Sequence, residues 1–189
     1  MNLAAVVLAA GASTRFGGGK LSALLNGVPL VHHAIRAACA APVERVVVVA
    51  SATLDIGEWP EAPPVERVVI DSQALSASLK AGLAAVGPIG GVFVFLGDMP
   101  RVPHQVAGLL AAALGDAYAA VPHYQGRAGH PVLLSARSFA DVATVTGDKG
   151  AGQLLKGRED VVRLECDDPG VLLDIDTRGD MERLTNPAE

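Results

Sequence analysis

The chain has 189 residues, enough for one ordinary domain and short for two. Half of it is hydrophobic but only 4% is aromatic, so the core must be built from Ala, Val and Leu; the 19% of charged residues is too many for a membrane-embedded chain and too few for a disordered one. A net charge of −5 argues against a nucleic-acid partner bound through a broad basic face.

Leu3 to Leu8 is a short apolar run ended by Gly11, read as a strand buried on both faces. It has no basic segment before it and is too short to span a bilayer, so neither a signal peptide nor a membrane anchor is expected, and the expected location is cytoplasmic. Ala9 to Lys20 is a loop. After Pro29, the spacing of Val31, Ala34, Ile35 and Ala38 predicts an amphipathic helix. The β-branched run Val46 to Val49 predicts a second buried strand, and Thr53 to Pro64, rich in Pro and acid around Trp59, a surface connection. Val68 to Ile70 is a third strand, Leu75 to Val86 a helix, and Val92 to Leu96 a fourth strand. Val106, Leu109, Leu110 and Ala113 mark the next helix.

The second half is less regular. Tyr118 to Val121, Pro131 to Leu134, Val161 to Leu164 and Val171 to Ile175 are short strand candidates, with helices near Ala151–Lys156 and Gly179–Leu184. Apolar strands alternating with helices imply a three-layer α/β fold with a mostly parallel central sheet, in a single domain spanning residues 1–189. In such sheets ligands sit beyond the carboxyl ends of the strands.

The first such end carries Leu8, Ala9, Ala10 and Gly11, then Ser13, Arg15, Gly17, Gly18, Gly19 and Lys20. Glycines let backbone N–H groups turn toward an anion, and a forked guanidinium with a point-charge ammonium suits a polyphosphate. Neither common phosphate motif fits. A Walker A loop needs Gly where Thr14 stands and Ser or Thr where Leu21 stands, and Gly17-Gly18-Gly19 followed by Ser22 does not make GxGxxG. The alternative is an ordinary glycine-rich surface turn.

The fourth strand runs into Gly97-Asp98-Met99-Pro100. Asp98 at that end is placed either to hold Mg²⁺ through a hard oxygen or to cap the following helix. Asp174 and Asp176, two apart, would share one face of a strand; the alternative is a surface strand end with Asp176 or Thr177 capping the last helix. His32, His33, His104 and His123 pair with no nucleophile, and Cys39 and Cys166 have no zinc-ligand spacing and are read as free thiols. Catalysis would then be positioning and charge neutralisation at a phosphoryl centre.

The motifs LAAGxSxRFGGGK, LGDMP, GRAGHPV, GDKGAG and DIDT, in this order, resemble the molybdenum cofactor nucleotidyltransferases, and within the MobA-like NTP transferase family the cytidylyltransferase (MocA-like) branch. The resemblance runs from Leu3 to about Leu184. It implies a Rossmann-like nucleotidyltransferase fold and Mg²⁺-dependent transfer of CMP from CTP to the phosphate of molybdopterin, with release of pyrophosphate. Leu8, Ala9, Ala10, Gly11, Arg15, Lys20, Ser76 and Ser78 would bind the nucleotide, with Arg15, Lys20 and Asp98 catalytic. Asp98 would hold the metal, with Asp174 or Asp176 as the second carboxylate, and Gly129, His130 and Pro131 would lie on the acceptor side. A molybdoenzyme apoprotein is a further expected partner; a nucleic acid or a membrane is not.

The chain also departs from that pattern. Ala74 stands where glycine is usual, Gly152 where arginine is common, and Arg178-Gly179 where the family has Pro-Glu, which should weaken the start of the last helix. The guanylyl branch has LAGG where this chain has Ala10, and the extra methyl favours cytosine over guanine. Alternatives are a guanylyltransferase, a sugar-phosphate nucleotidyltransferase, or a non-catalytic chaperone for the cofactor.

Overall fold

β1 (Leu3–Ala9) is buried along its whole length, and its alternation sets the architecture. Leu3, Ala5, Val7 and Ala9 enter one apolar cluster, Ala4, Val6 and Leu8 another, because successive strand side chains face opposite ways. A strand walled on both faces has no polar side and reads as a continuous apolar run. The computed structural model describes residues 1–11, 13–147 and 150–185. Asp148 and Lys149 of the GDKGAG motif lie outside them.

The further elements are β2 (Leu24–Leu25), β3 (Val28–Pro29), α1 (Leu30–Cys39), β4 (Val46–Ala50), β5 (Val65–Val69), α2 (Leu75–Val86), β6 (Gly91–Leu96) and α3 (His104–Leu114). Then come β7 (Ala119–Tyr124), β8 (Arg127–Ala128), β9 (Val132–Ser135), α4 (Phe139–Val142), α5 (Ala151–Leu155), β10 (Val161–Glu165) and α6 (Arg178–Thr185). The main sheet has the order β10-β7-β9-β6-β1-β4-β5, with β8 on β7. Its long strands run parallel except β9, which pairs antiparallel with both β6 and β7. α1 and α3 pack on one face, and α2, α4 and α5 on the other. The expected three-layer, mostly parallel α/β fold is present.

α2 lies close against the sheet because Gly82 has no side chain. A Cβ there would come 2.4 Å from Val6 Cγ1 and 3.2 Å from Val49 Cγ2. Two hairpins appear that the strand reading did not anticipate. Asn26-Gly27 joins β2 to β3 and Gln125-Gly126 joins β7 to β8, all four residues at positive φ, as the type I′ hairpin turn requires.

One expectation is corrected. Val171 to Ile175 is not a strand: Pro169–Leu172 forms a 3₁₀ turn, and 173–177 continues without regular structure. The turn starts where the Asp168 carboxylate accepts the Gly170 N–H at 2.7 Å, a local bond that competes with sheet pairing. Val171 and Ile175 are fully buried all the same, so the apolar run marks anchoring points instead of a pleat. The third strand also differs, covering Val65–Val69 instead of Val68–Ile70. It is the partly exposed edge of the sheet, where apolar content is a weak guide to its limits. No helix among the described residues is long and apolar enough to cross a membrane.

Candidate active site

The loop after β1 is built by its left-handed residues. Ser13, Gly17, Gly18 and Gly19 all have positive φ, a conformation that glycine adopts without steric cost. The turn closes when Phe16 N–H and Gly18 N–H donate to the Ser13 carbonyl. Phe16 is buried and pins the turn, leaving Arg15 in solvent. Gly19 then starts a second short turn, Lys20–Ser22, which brings Lys20 inward.

β6 ends beside β1. Gly97 N–H donates to the Leu8 carbonyl at 2.9 Å, and a Cβ on Gly97 would stand 3.1 Å from that same oxygen. Asp98 is therefore presented directly against the glycine loop. It does not cap α3, whose preceding residue is Pro103. Its Oδ2 lies 2.7 Å from Lys20 Nζ, which is also 3.7 Å from Asp176 Oδ1; Asp176 Oδ2 in turn accepts from Arg15.

Segment 173–177 reaches this point by tethers. Ile175 is buried and its N–H donates to the Asp98 carbonyl at 3.0 Å. At the other end Thr177 and Asp180 form a capping box: Asp180 N–H donates to Thr177 Oγ1, while Asp180 Oδ2 accepts from Thr177 N–H and hydroxyl. The last helix thus has a well-bonded start despite Arg178-Gly179, and its cap is Thr177, one of the two alternatives read from the sequence. The hydrogen bonds from Thr177 hold the Asp180 carboxyl at about 2.

Three carboxylates and two cations therefore meet at the carboxyl ends of β1 and β6. Burial, then repulsion from Asp176 and Asp98, pushes the Asp174 carboxyl above its ordinary value. Among the described residues no group of three or more His, Cys, Asp or Glu is arranged to hold a metal alone. The donor set still suits a hard divalent cation, since Mg²⁺ is typically held by one or two carboxylates completed by phosphate oxygens and water.

Two adjoining cavities open here. The smaller, about 240 Å³, contains Arg15, Lys20, Asp98, Asp174 and Asp176, with Leu8, Ser78 and Gln73 in its wall. The larger, about 390 Å³, lies between the glycine loop and the ends of β4 and β5, against Ala9, Ser51, Thr53, Asp71 and Ser72. Ala10, Gly11, Ser13, Lys20, Leu21 and Gln73 border both. Arg15 and the three carboxylates line only the smaller cavity, Asp71 only the larger, and Lys20 borders both, so the smaller is the better match to a polyphosphate that arrives with a divalent cation.

Of the sequence-derived site residues, Leu8, Ala9, Ala10, Gly11, Arg15, Lys20, Ser78, Asp98, Asp174 and Asp176 come together around these cavities. Ser76 does not line either; it is buried, and its N–H donates to the Gly147 carbonyl. Gly129, His130 and Pro131 stand behind the carboxylates. Gly129 is pressed so close to the Val171 carbonyl that a Cβ would come within 2.4 Å. His130 N–H donates to that carbonyl, and its Nδ1 lies 3.3 Å from the Val94 carbonyl. Burial lowers the His130 imidazole below its usual value, against the pull of Asp98 and Asp174.

Sequence reasoning missed Gln73, Ser51 and Thr53. All follow strand ends, where the carboxyl-end rule was available as a signal; the end of β4 was passed over because its Pro- and acid-rich loop reads as a surface connection, with no cation or glycine cluster at the strand end itself.

The chain matches the MobA-like NTP transferase domain over residues 5–163. It is 31% identical to the purine catabolism protein PucB of Bacillus subtilis, covering 93% of this chain and 92% of that protein. It is 35% identical over 108 residues, about half of each chain, to a probable molybdenum cofactor guanylyltransferase of Thermococcus sibiricus. Among solved structures it is similar to the Rv0371c homologue of Mycobacterium sp. strain JC1, with a TM-score of 0.84 and 32% identity over 97% of this chain and 94% of that one. The manganese complex of Rv0371c from Mycobacterium tuberculosis follows at 0.79 and 26%, covering 98% of both chains. The glycine loop, the β6 carboxylate and most of the sheet all lie within the matched span, and this chain belongs to the MobA-like NTP transferase family.

Proposed function

We propose that this nucleotidyltransferase transfers CMP from CTP to the terminal phosphate of molybdopterin. The observation that carries the reading is the meeting of Lys20 and Arg15 with Asp98, Asp174 and Asp176 in one cavity at two adjacent strand ends. A phosphate oxygen of the acceptor attacks the α-phosphorus, the new P–O bond forms, and the bond to the β-phosphate breaks, so that pyrophosphate leaves. The attacking phosphate is anionic near neutral pH, so no side chain has to take a proton from it. Arg15 and Lys20 offset the charge of the leaving pyrophosphate.

Asp98, with Asp174 or Asp176 as the second carboxylate, would hold Mg²⁺, which when bound neutralises and polarises phosphoryl oxygens. Leu8, Ala9, Ala10, Gly11 and Ser78 shape the nucleotide side, with Ser76 supporting that wall from behind. Gly129, His130 and Pro131, which line neither cavity, back the carboxylates on the acceptor side. The manganese in the related Rv0371c structure supports a divalent cation, and the guanylyltransferase relative supports a molybdenum cofactor acceptor.

That same relative favours GTP as the second reading of the base, against which stands the Ala10 methyl on both cavities. The PucB relative supports a place in purine catabolism. Pyrophosphate release with Mg²⁺ and CTP, GTP or ATP, with and without molybdenum cofactor, decides. Cofactor-dependent release with CTP alone is expected; release with GTP alone replaces the base. Nucleotide binding with no release by any of them would leave a cofactor chaperone in place of an enzyme.

A further inference from the structure

Asp176 faces Arg15 and Lys20 from a stretch with no regular structure, anchored on its N-terminal side where the Ile175 N–H donates to the Asp98 carbonyl. The group that takes the N–H of Asp176 itself is on the next element. Asp180 Oδ2 accepts the N–H of Asp176 at 3.2 Å, the N–H of Thr177 at 2.7 Å and the Thr177 hydroxyl at 2.7 Å. A single carboxylate oxygen thus supplies the acceptor that a neighbouring strand would have supplied. The same helix grips the other side of the ion pair: the Arg178 guanidinium lies 4.9 Å over the Phe16 ring, and Phe16 follows Arg15. α6 therefore bonds the backbone of Asp176 and also touches the residue next to Arg15, although it buries none of its own residues.

We propose that Asp180 is a positioning residue for the transfer reaction: by holding the Asp176 backbone, it aims the Asp176 carboxylate into the metal and phosphate cavity. The proposal rests on the nucleotidyltransferase reading of that cavity. Outer groups that orient metal-binding carboxylates are typically worth about 10- to 100-fold in metal affinity, and Asp180, acting through the backbone, is placed at the lower end. Asn at this position keeps one acceptor oxygen and should preserve the aim. Ala removes it.

The test is Mn²⁺ binding in the presence of CTP, read by water proton relaxation, in the wild type, Asp180→Ala, Asp180→Asn and Arg183→Ala. Arg183 pairs with Asp180 Oδ1 on the same helix and, among the described residues, forms no hydrogen bond or ion pair with Asp176 or the glycine loop. Asp180→Ala should weaken Mn²⁺ binding about tenfold, Asp180→Asn should restore it to within about threefold, and Arg183→Ala should match the wild type. Wild-type binding in Asp180→Ala overturns the proposal. So does equal weakening in Arg183→Ala, which would make helix integrity the whole effect, or in Asp180→Asn. Should Asp180→Ala not fold, Asp180→Ser, polar but too short to reach the Asp176 N–H, reads the same shift. A wild type that binds no Mn²⁺ with CTP removes the underlying reading of the cavity as well, and is told apart from the other outcomes by the wild-type measurement alone.

Discussion

Lys20 Nζ lies 2.7 Å from Asp98 Oδ2, across 78 residues of sequence, and this pair joins the ends of two adjacent strands. Both side chains are largely out of solvent, the lysine more so. Lys20 is the inner of the two cations beside three carboxylates, so its loss leaves like charges facing each other in reduced dielectric. Lys20→Met should destabilise the fold by about 1–3 kcal/mol at neutral pH. Asp98→Asn removes one of the repelling charges and should leave stability near the wild type, while lowering turnover roughly 100-fold or more. Denaturant unfolding and pyrophosphate release on the same preparations check both. Near-wild-type turnover in Asp98→Asn would take Asp98 out of the reaction.

The Ala10 methyl borders both cavities and is itself buried. Ala10→Gly opens the slot by one methyl, and one such group in an apolar pocket is worth about 1–3 kcal/mol of discrimination. The ratio of kcat/KM for GTP to that for CTP should rise about tenfold. An unchanged ratio would place base selection elsewhere, with Gln73, which also borders both cavities, the next residue to replace.

The site was legible where the sequence concentrates unusual residues at a strand end. Gly17, Gly18 and Gly19 with Arg15 and Lys20 announce an anion loop, and Gly97-Asp98 after an apolar run announces a carboxylate at the carboxyl end of a buried strand. The central strands were legible too, because burial on both faces leaves no polar position in β1 or β4. Less readable were the features decided by distant partners. The direction of β9 depends on its pairing with β6 and β7, and nothing local to Val132–Ser135 encodes it. The 171–175 run looked like a strand because Val171 and Ile175 must be buried; the partners that capture it are the His130 N–H, on the Val171 carbonyl, and the Asp98 carbonyl, on the Ile175 N–H, both distant in sequence. The hairpin at Asn26-Gly27 was readable in principle, since Asn-Gly is a strong two-residue turn signal, but the flanking strands are only two residues long.

At Gly82, α2 packs directly against β1 and β4. In Gly82→Ala the new methyl would collide with Val6 Cγ1, in a strand that has no slack on either face. The gain in helix propensity, about 1 kcal/mol, opposes an overpacking cost of about 1–3 kcal/mol. Net destabilisation of up to about 2 kcal/mol is expected, with kcat unchanged below the transition temperature. A more stable variant would show that α2 can move off the sheet at no cost.

Tyr118 enters β7 at the far end of the sheet from the cavities, buried, with its hydroxyl donating to Asp141 Oδ2 at 2.8 Å and the Arg158 guanidinium 3.5 Å over its ring. Burial first, and then the bond to Asp141, raises the phenol from 10.0 to about 12, against the opposing pull of Arg158. In the unfolded chain the phenol ionises at its ordinary value, so from there upward the unfolded state gives up a proton that the native state keeps. The stabilisation is whole below that value and is lost as pH rises toward 12. Tyr118→Phe should be less stable than the wild type at neutral pH by about 1 kcal/mol, the worth of the hydrogen bond. Its stability should then fall less steeply in alkali, so that the two curves converge as pH climbs. Denaturant unfolding across the alkaline range, with phenolate absorbance followed in parallel, reads both effects. A late-titrating phenolate that persists in Tyr118→Phe, or parallel stability curves, would show that the Tyr118–Asp141 bond does not couple ionisation to the fold.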